Sequence, residues 1–242
     1  MSTPASTLLA SLRTHQATSP ALIWYGPDGE RIELSGKVLD NWVAKTANFL
    51  VDELDAEPGM RLRLDLPVHW KSLVWALAGW QTGCTVVWDP TGTGAPAAVT
   101  VTSAPGNAVR GTVVAVALGA LDLAFPGELP PGVVDYAAEV RSYADTYIED
   151  AVPGPGVPAL EVHGGTAAVL LKETVPYASL PAEAPAAAAP GVLLASSTDL
   201  PLVLEAALQM WASGGAVLLT AEGVQPSAKV LESERVTKRL EA

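Results

Sequence analysis

Asp65, His69 and Trp70 form the polar cluster of most chemical interest in a chain of 242 residues. They fall where a strand pattern hands over to a helix pattern. A carboxylate, an imidazole and an indole so close together could hold a polar ligand or move a proton. The carboxyl end of a parallel strand is also the edge at which open α/β sheets bind ligands. In the first helical turn, the helix dipole would lower the pKa of a histidine and favour its neutral ring. The plainer reading has His69 capping the helix and Trp70 packed in the core. Seven tryptophans, mostly at helix-face positions, suit that reading. Asp199 starts a later helix and reads as an N-cap before it reads as an acid. Asp65, His69, Trp70 and Asp199 together are the candidate ligand site; no residue is assigned a catalytic role, and none a metal.

Other chemistries find less support. Three segments are rich in Ser, Thr and Gly: Thr91-Gly92-Thr93-Gly94, Gly164-Gly165-Thr166 and Ser196-Ser197-Thr198. A phosphate cradle would use their amides and hydroxyls with a nearby lysine. None ends in Gly-x-x-Lys, and Lys172 follows the second only after an apolar run, so each reads as a turn or a cap. His163-Gly164-Gly165 is like an esterase oxyanion loop, but no Gly-x-Ser-x-Gly elbow supplies a nucleophile. His15, His69 and His163 lack metal-ligand spacing. No Gly-x-Gly-x-x-Gly marks a dinucleotide site. Cys84, the single cysteine, lies in an apolar run and reads as a small buried hydrophobe.

Composition narrows the class further. Apolar residues make up 49% and charged residues 17%, which is globular rather than disordered. The net charge of -12 argues against a nucleic-acid partner, whose phosphates call for clustered Lys and Arg. The densest basic stretch, Lys229 to Arg239, also holds Glu232 and Glu234 and reads as a solvated helix face. No apolar run reaches the roughly 20 residues needed to span a bilayer. Met1 to Ala10 does not read as a secretory signal, so a cytoplasmic protein is expected.

The elements that position these residues come in two copies. Leu62 to Trp88 aligns without a gap on Leu193 to Leu219, setting Leu73 on Leu204, Trp80 on Trp211 and Gly83 on Gly214. Each copy reads as strand, loop, helix, glycine, strand. Arg61 to Leu66 alternates at period 2, and Trp70, Leu73, Val74, Leu77 and Trp80 recur on one helical face over Val68 to Gln81. Gly83 ends that helix in a left-handed turn, and Thr85 to Trp88 is the second strand. Val192 to Leu194, Pro201 to Ala212 and Ala216 to Thr220 repeat the plan. Crossovers of this length join parallel neighbours. Leu22 to Tyr25 and Arg31 to Leu34 read as a hairpin. Ser35 caps a helix whose apolar face is Val38, Leu39, Trp42, Ala47, Phe49 and Leu50. Ala98 to Thr102 and Thr112 to Ala117 are two further strands. A short helix is expected near Val133 to Tyr147, and Pro181 to Pro190 is rich in Ala and Pro and reads as a linker. The expected layout is a first α/β subdomain at 1–126, an irregular connection at 127–158 and a second, incomplete subdomain at 159–242.

These residues resemble the N-terminal part of the AMP-binding, acyl-adenylate-forming enzymes, which include acyl-CoA synthetases. The likeness runs through Pro20 to Ile23, Arg31 to Ser35, Pro58 to Leu62, Leu66-Pro67, Trp80 to Gly83 and Asp89-Pro90. Glu234 to Thr237 is similar to a helix that follows in that family. Asp65 to Trp70 and Leu129 to Arg141 resemble, more narrowly, a small actinobacterial family distantly related to those enzymes. The resemblance implies an α/β fold of layered, mostly parallel sheets with flanking helices. It also implies ATP, AMP or CoA as ligands, although the family's lysine-bearing phosphate loop does not occur here. The expectation is therefore a pseudoenzyme, a non-catalytic module that binds a small acyl or nucleotide ligand or a protein partner, with a homo-oligomer as one form of the latter. The alternative is a synthetase-like enzyme of altered chemistry acting near His69 and Asp65.

Overall fold

The computed structural model describes residues 2–106, 111–120, 122–164, 173–181 and 189–240. The chain opens with helix α1 (Pro4–His15), then β1 (Pro20–Tyr25), β2 (Arg31–Ser35) and α2 (Gly36–Leu54). The first repeat follows as β3 (Arg61–Asp65), α3 (Trp70–Gln81) and β4 (Thr85–Trp88). Next come β5 (Val99–Thr102), β6 (Thr112–Ala115), β7 (Val134–Asp135), the single turn α4 (Tyr136–Glu139), β8 (Pro158–Val162) and β9 (Thr174–Pro176). The second repeat is β10 (Val192–Ala195), α5 (Leu200–Ala212) and β11 (Ala216–Thr220), and the described chain closes with α6 (Ala228–Ser233) and β12 (Val236–Arg239).

The strands form two mostly parallel sheets. One has five strands in the order β12-β10-β11-β1-β2; the other has seven, in the order β7-β6-β5-β3-β4-β8-β9. Both repeats are parallel strand–helix–strand units, as the sequence predicts. The likeness goes further than the aligned segments. β3-β4-β8-β9 and β10-β11-β1-β2 share one plan: two crossover-linked strands, a third parallel strand, then an antiparallel edge. The aligned tryptophans do the same work in each. Trp80 Nε1 donates to the Ala159 carbonyl on β8, and Trp211 Nε1 donates to the Ala21 carbonyl on β1, both at 2.8 Å. Each indole thus fixes its helix to the third strand while satisfying its own buried N–H. Gly83 and Gly214 both take the left-handed conformation (φ 83° and 73°) that a side chain resists.

Sheet membership crosses the sequence division at 127–158, because the early hairpin β1–β2 lies beside β11. The hairpin itself and the Ser35 cap, whose hydroxyl accepts from the Val38 amide, are as expected.

Several elements depart from expectation. Helix α3 is buried on every side, including Lys71, Ser72 and Gln81, rather than on one face. It packs against α1 and α2 and touches β3, β4 and β1, so strands of both sheets close over it. Val38 is 40% exposed; the buried stripe of α2 runs through Leu39, Val43, Ala47 and Leu50 instead. The helix expected near Val133 to Tyr147 shrinks to α4 and a 3-10 turn over Val140–Ser142. Glu234 to Thr237 is not helical: Arg235 turns left-handed (φ 55°) and ends α6, and the chain then pairs with β10 as β12. β-Branched Val236 and Thr237 suit that ladder. Helix α1, capped by Thr3 and buried through Leu8, Leu9 and Leu12, was not expected, nor were β8 and β9. The linker reading of Pro181 to Pro190 lies mostly outside the described residues.

Aromatic packing consolidates the centre. Phe49 meets Trp75 edge-on at 6.0 Å, Trp75 lies 4.8 Å from Tyr136, and the Tyr136 hydroxyl bonds Thr46 Oγ1 at 2.7 Å. Each such ring pair adds about 0.5–1.5 kcal/mol beyond the area it buries.

Candidate functional site

A cleft of about 700 Å³ opens between the two sheets. It is bounded by the chain just beyond the carboxyl ends of β1, β3, β6 and β11, the edge that α/β sheets use for ligands. Its volume lies in the usual range for small-molecule sites. Trp24, Pro27, Val68 and Leu118 supply apolar wall, and His69, Glu30 and Glu222 supply the ionisable groups.

His69 reaches the cleft because Pro67 ends β3 and helix α3 begins immediately after the ring. Its backbone is extended (φ −156°, ψ 154°), and its Nδ1 accepts from the Lys71 amide at 3.1 Å, which makes it the N-cap. The His69 carbonyl accepts from the amides of Ser72 and Leu73. With Nδ1 an acceptor, the neutral ring carries its proton on Nε2. Nε2 has no hydrogen-bond partner among the described residues. The ring is 2% exposed and stands edge-on to Trp24 at 4.4 Å. Burial, and secondarily the Lys71 charge, push its pKa down to about 3. The ring is therefore neutral, as expected from its place in the helix, but desolvation is the principal cause.

Two further groups set the cleft's shape. Glu30 accepts from Trp24 Nε1 at 3.0 Å and from the Ala120 amide at 3.2 Å, joining the β1–β2 turn to the chain after β6. Lys71, also buried, donates to the carbonyls of Ala117 and Gly119 and lies 5.3 Å from the Trp70 ring. Burial lowers its pKa to about 8, with opposing contributions from neighbouring charges.

Of the residues singled out from the sequence, His69 lines the cleft and Asp65, Trp70 and Asp199 do not. Asp65 is exposed at the end of β3 and accepts from Thr102 Oγ1 at 3.1 Å. Trp70 is buried against Trp42, 5.4 Å between rings. Asp199 caps α5 through the Leu202 amide at 3.1 Å. Trp24, Glu30 and Glu222 were missed. The turn after Tyr25 was legible, but only the β1–β11 pairing brings it to the site.

The glycine-rich loops behave as turns where they are described. Asp89 reaches into Thr91–Gly94 and accepts from the amides of Thr91, Gly92 and Gly94 and from the Thr91 hydroxyl. Burial would raise the pKa of Asp89, but bonds from Gly94, Thr91 and Gly92 and the Arg63 charge outweigh it and hold the value at about 2. The amides that could cradle a phosphate are already filled by a carboxylate. Ser197 and Asp199 make a local cap. Gly165, Thr166 and Lys172 lie outside the described residues. Cys84 is buried. Among the described residues no group of His, Cys, Asp and Glu could hold a metal ion, and no helix is long and apolar enough to cross a membrane.

The fold is that of the acyl-CoA synthetases' N-terminal region. The Brucella canis acyl-CoA synthetase superposes on 98% of this chain with a TM-score of 0.72 at 17% identity. The Streptomyces lividans acetoacetyl-CoA synthetase covers 91% at 0.67 and 16% identity, and the Mycobacterium tuberculosis fatty acyl CoA synthetase 98% at 0.64 and 14% identity. This chain spans 46%, 38% and 48% of those three, so the likeness concerns architecture alone. No family model matches the sequence. A TIGR03089 family protein of Mycobacterium tuberculosis (strain ATCC 25618 / H37Rv), an actinobacterium, is 34% identical over an alignment of 169 residues, and the match covers 64% of this chain and 68% of that protein. The chain belongs to that TIGR03089 family.

Proposed function

We propose that this chain is a ligand-binding module on a synthetase scaffold, one that takes a small acyl-type ligand in the cleft beside His69 and does not itself form adenylates. The observation that carries the reading is a cleft at the carboxyl edge of both sheets whose apolar walls surround one buried, uncharged donor. ATP and CoA enter by resemblance to the fold's enzymes, and the residues present do not fit their phosphates. The amides of Thr91–Gly94 hold Asp89, and the ionisable side chains lining the cleft are two carboxylates and a neutral imidazole.

Calorimetry with ATP, AMP, CoA, acyl-adenylate analogues and small acyl compounds tests this. Saturable binding of an acyl compound, with no pyrophosphate released from ATP in its presence, is the expected result. ATP-dependent adenylate formation by the pure protein would refute it.

A further inference from the structure

We infer that the cleft selects a neutral carbonyl compound, an amide or ester carrying a flat apolar group, over the corresponding carboxylate or phosphate. This rests on the ligand-binding reading above and adds the charge class of the ligand.

Three features carry it. First, the cleft offers one donor from a side chain that is itself almost wholly buried. His69 Nδ1 is engaged by the Lys71 amide, and Nε2–H has no partner among the described residues on a ring that lines the cleft. A donor on a ring that lines the cleft can be met by a ligand acceptor. A carbonyl oxygen is the matching acceptor.

Second, the features that would favour an anion are already neutralised. The N-terminus of a twelve-residue helix attracts negative charge through its free amides. Here the amides of Lys71, Ser72 and Leu73 are taken by the ring and carbonyl of His69. The neighbouring cation, Lys71, does not line the cleft and is held by the carbonyls of Ala117 and Gly119.

Third, Glu30 and Glu222 place negative charge on the cleft. Glu30 is fixed by Trp24 and Ala120, so it cannot swing out of the way without giving up both bonds. A ligand carboxylate would meet repulsion from these groups, and among the described residues no cation lines the cleft. The apolar faces of Val68 and Leu118, with Trp24, suit a flat ring.

The test compares 2-naphthamide with 2-naphthoate and AMP on the full chain at neutral pH, read by calorimetry and by tryptophan fluorescence. The amide should bind about tenfold more tightly than the carboxylate, as expected for two nearby carboxylates at partial screening. Glu222→Lys is on an exposed residue and should not disturb folding; it should narrow the preference by about fivefold. Naphthoate or AMP binding as tightly as the amide, or a preference untouched by Glu222→Lys, would overturn the inference and leave the ligand-binding reading standing. Failure of all three probes, together with the acyl panel above, would overturn both.

Discussion

Replacing His69 by Asn should flatten the acid sensitivity of this protein. Asn is a good N-cap, so its side-chain oxygen can accept from the Lys71 amide as the ring does, and it does not titrate. In the unfolded chain His69 takes up a proton near its ordinary 6.5, whereas in the folded protein it resists until about 3. Between those values the unfolded state binds more protons, so folding stability rises with pH across the window. The contribution is complete above 6.5 and is lost progressively as pH falls towards 3. From these two values, wild type should lose about 2 kcal/mol between pH 7 and pH 5 through this one ring. Urea melts of wild type and His69→Asn at pH 7, 6 and 5 measure it. The two stability curves should converge, or cross, by that amount as the solution is acidified. Curves that stay parallel within about 0.5 kcal/mol, the usual additivity error, would refute the burial of a neutral His69.

Asp89→Asn should cost about 1–3 kcal/mol at neutral pH, because the loop's amides lose a charged acceptor. The folded value near 2 lies below the ordinary 3.8, so the wild-type advantage should be full above 3.8 and fade as pH falls towards 2, read by urea melts across that range. The Cys84 thiol, pushed up to about 11 chiefly by burial against a smaller opposing effect of Thr82, should ignore a disulfide reagent in the native protein and react once urea unfolds it. Rapid native labelling would place it outside the core.

Local signals were legible where one residue type has one physical use. The alternation of Arg61 to Leu66, the Ser35 cap, and the glycines at 83 and 214 each correspond to an element or turn in the structure. Trp80 and Trp211 marked the repeat, and their matched bonds explain why that residue stands there twice. What the sequence hid depends on distant partners. Lys71 and Gln81 gave α3 a polar side, yet both sheets close over it, and the ammonium finds carbonyls 46 and 48 residues away. Val236 to Arg239 follows a helix and looked like part of one, until a left-handed Arg235 delivers it to an open strand edge. His69 was picked out for its position at the end of β3, and it lines the cleft. Trp24 and Glu30 join it only through the pairing of β1 with β11, which no local pattern contains.

That last pairing has a consequence for synthesis. Leu22 sits beside Val217, so at ~5–20 residues per second a ribosome needs roughly 10–40 s to make the stretch between them. For that interval β1, whose middle four residues are all buried in the finished sheet, exists without the neighbour it will pair with. Loops closed over such distances form slowly. The hairpin with β2 and the cover of α2 can shield one edge meanwhile, while the other waits for nearly the whole chain. Nascent chains arrested before Thr220 should therefore be the ones that chaperones hold.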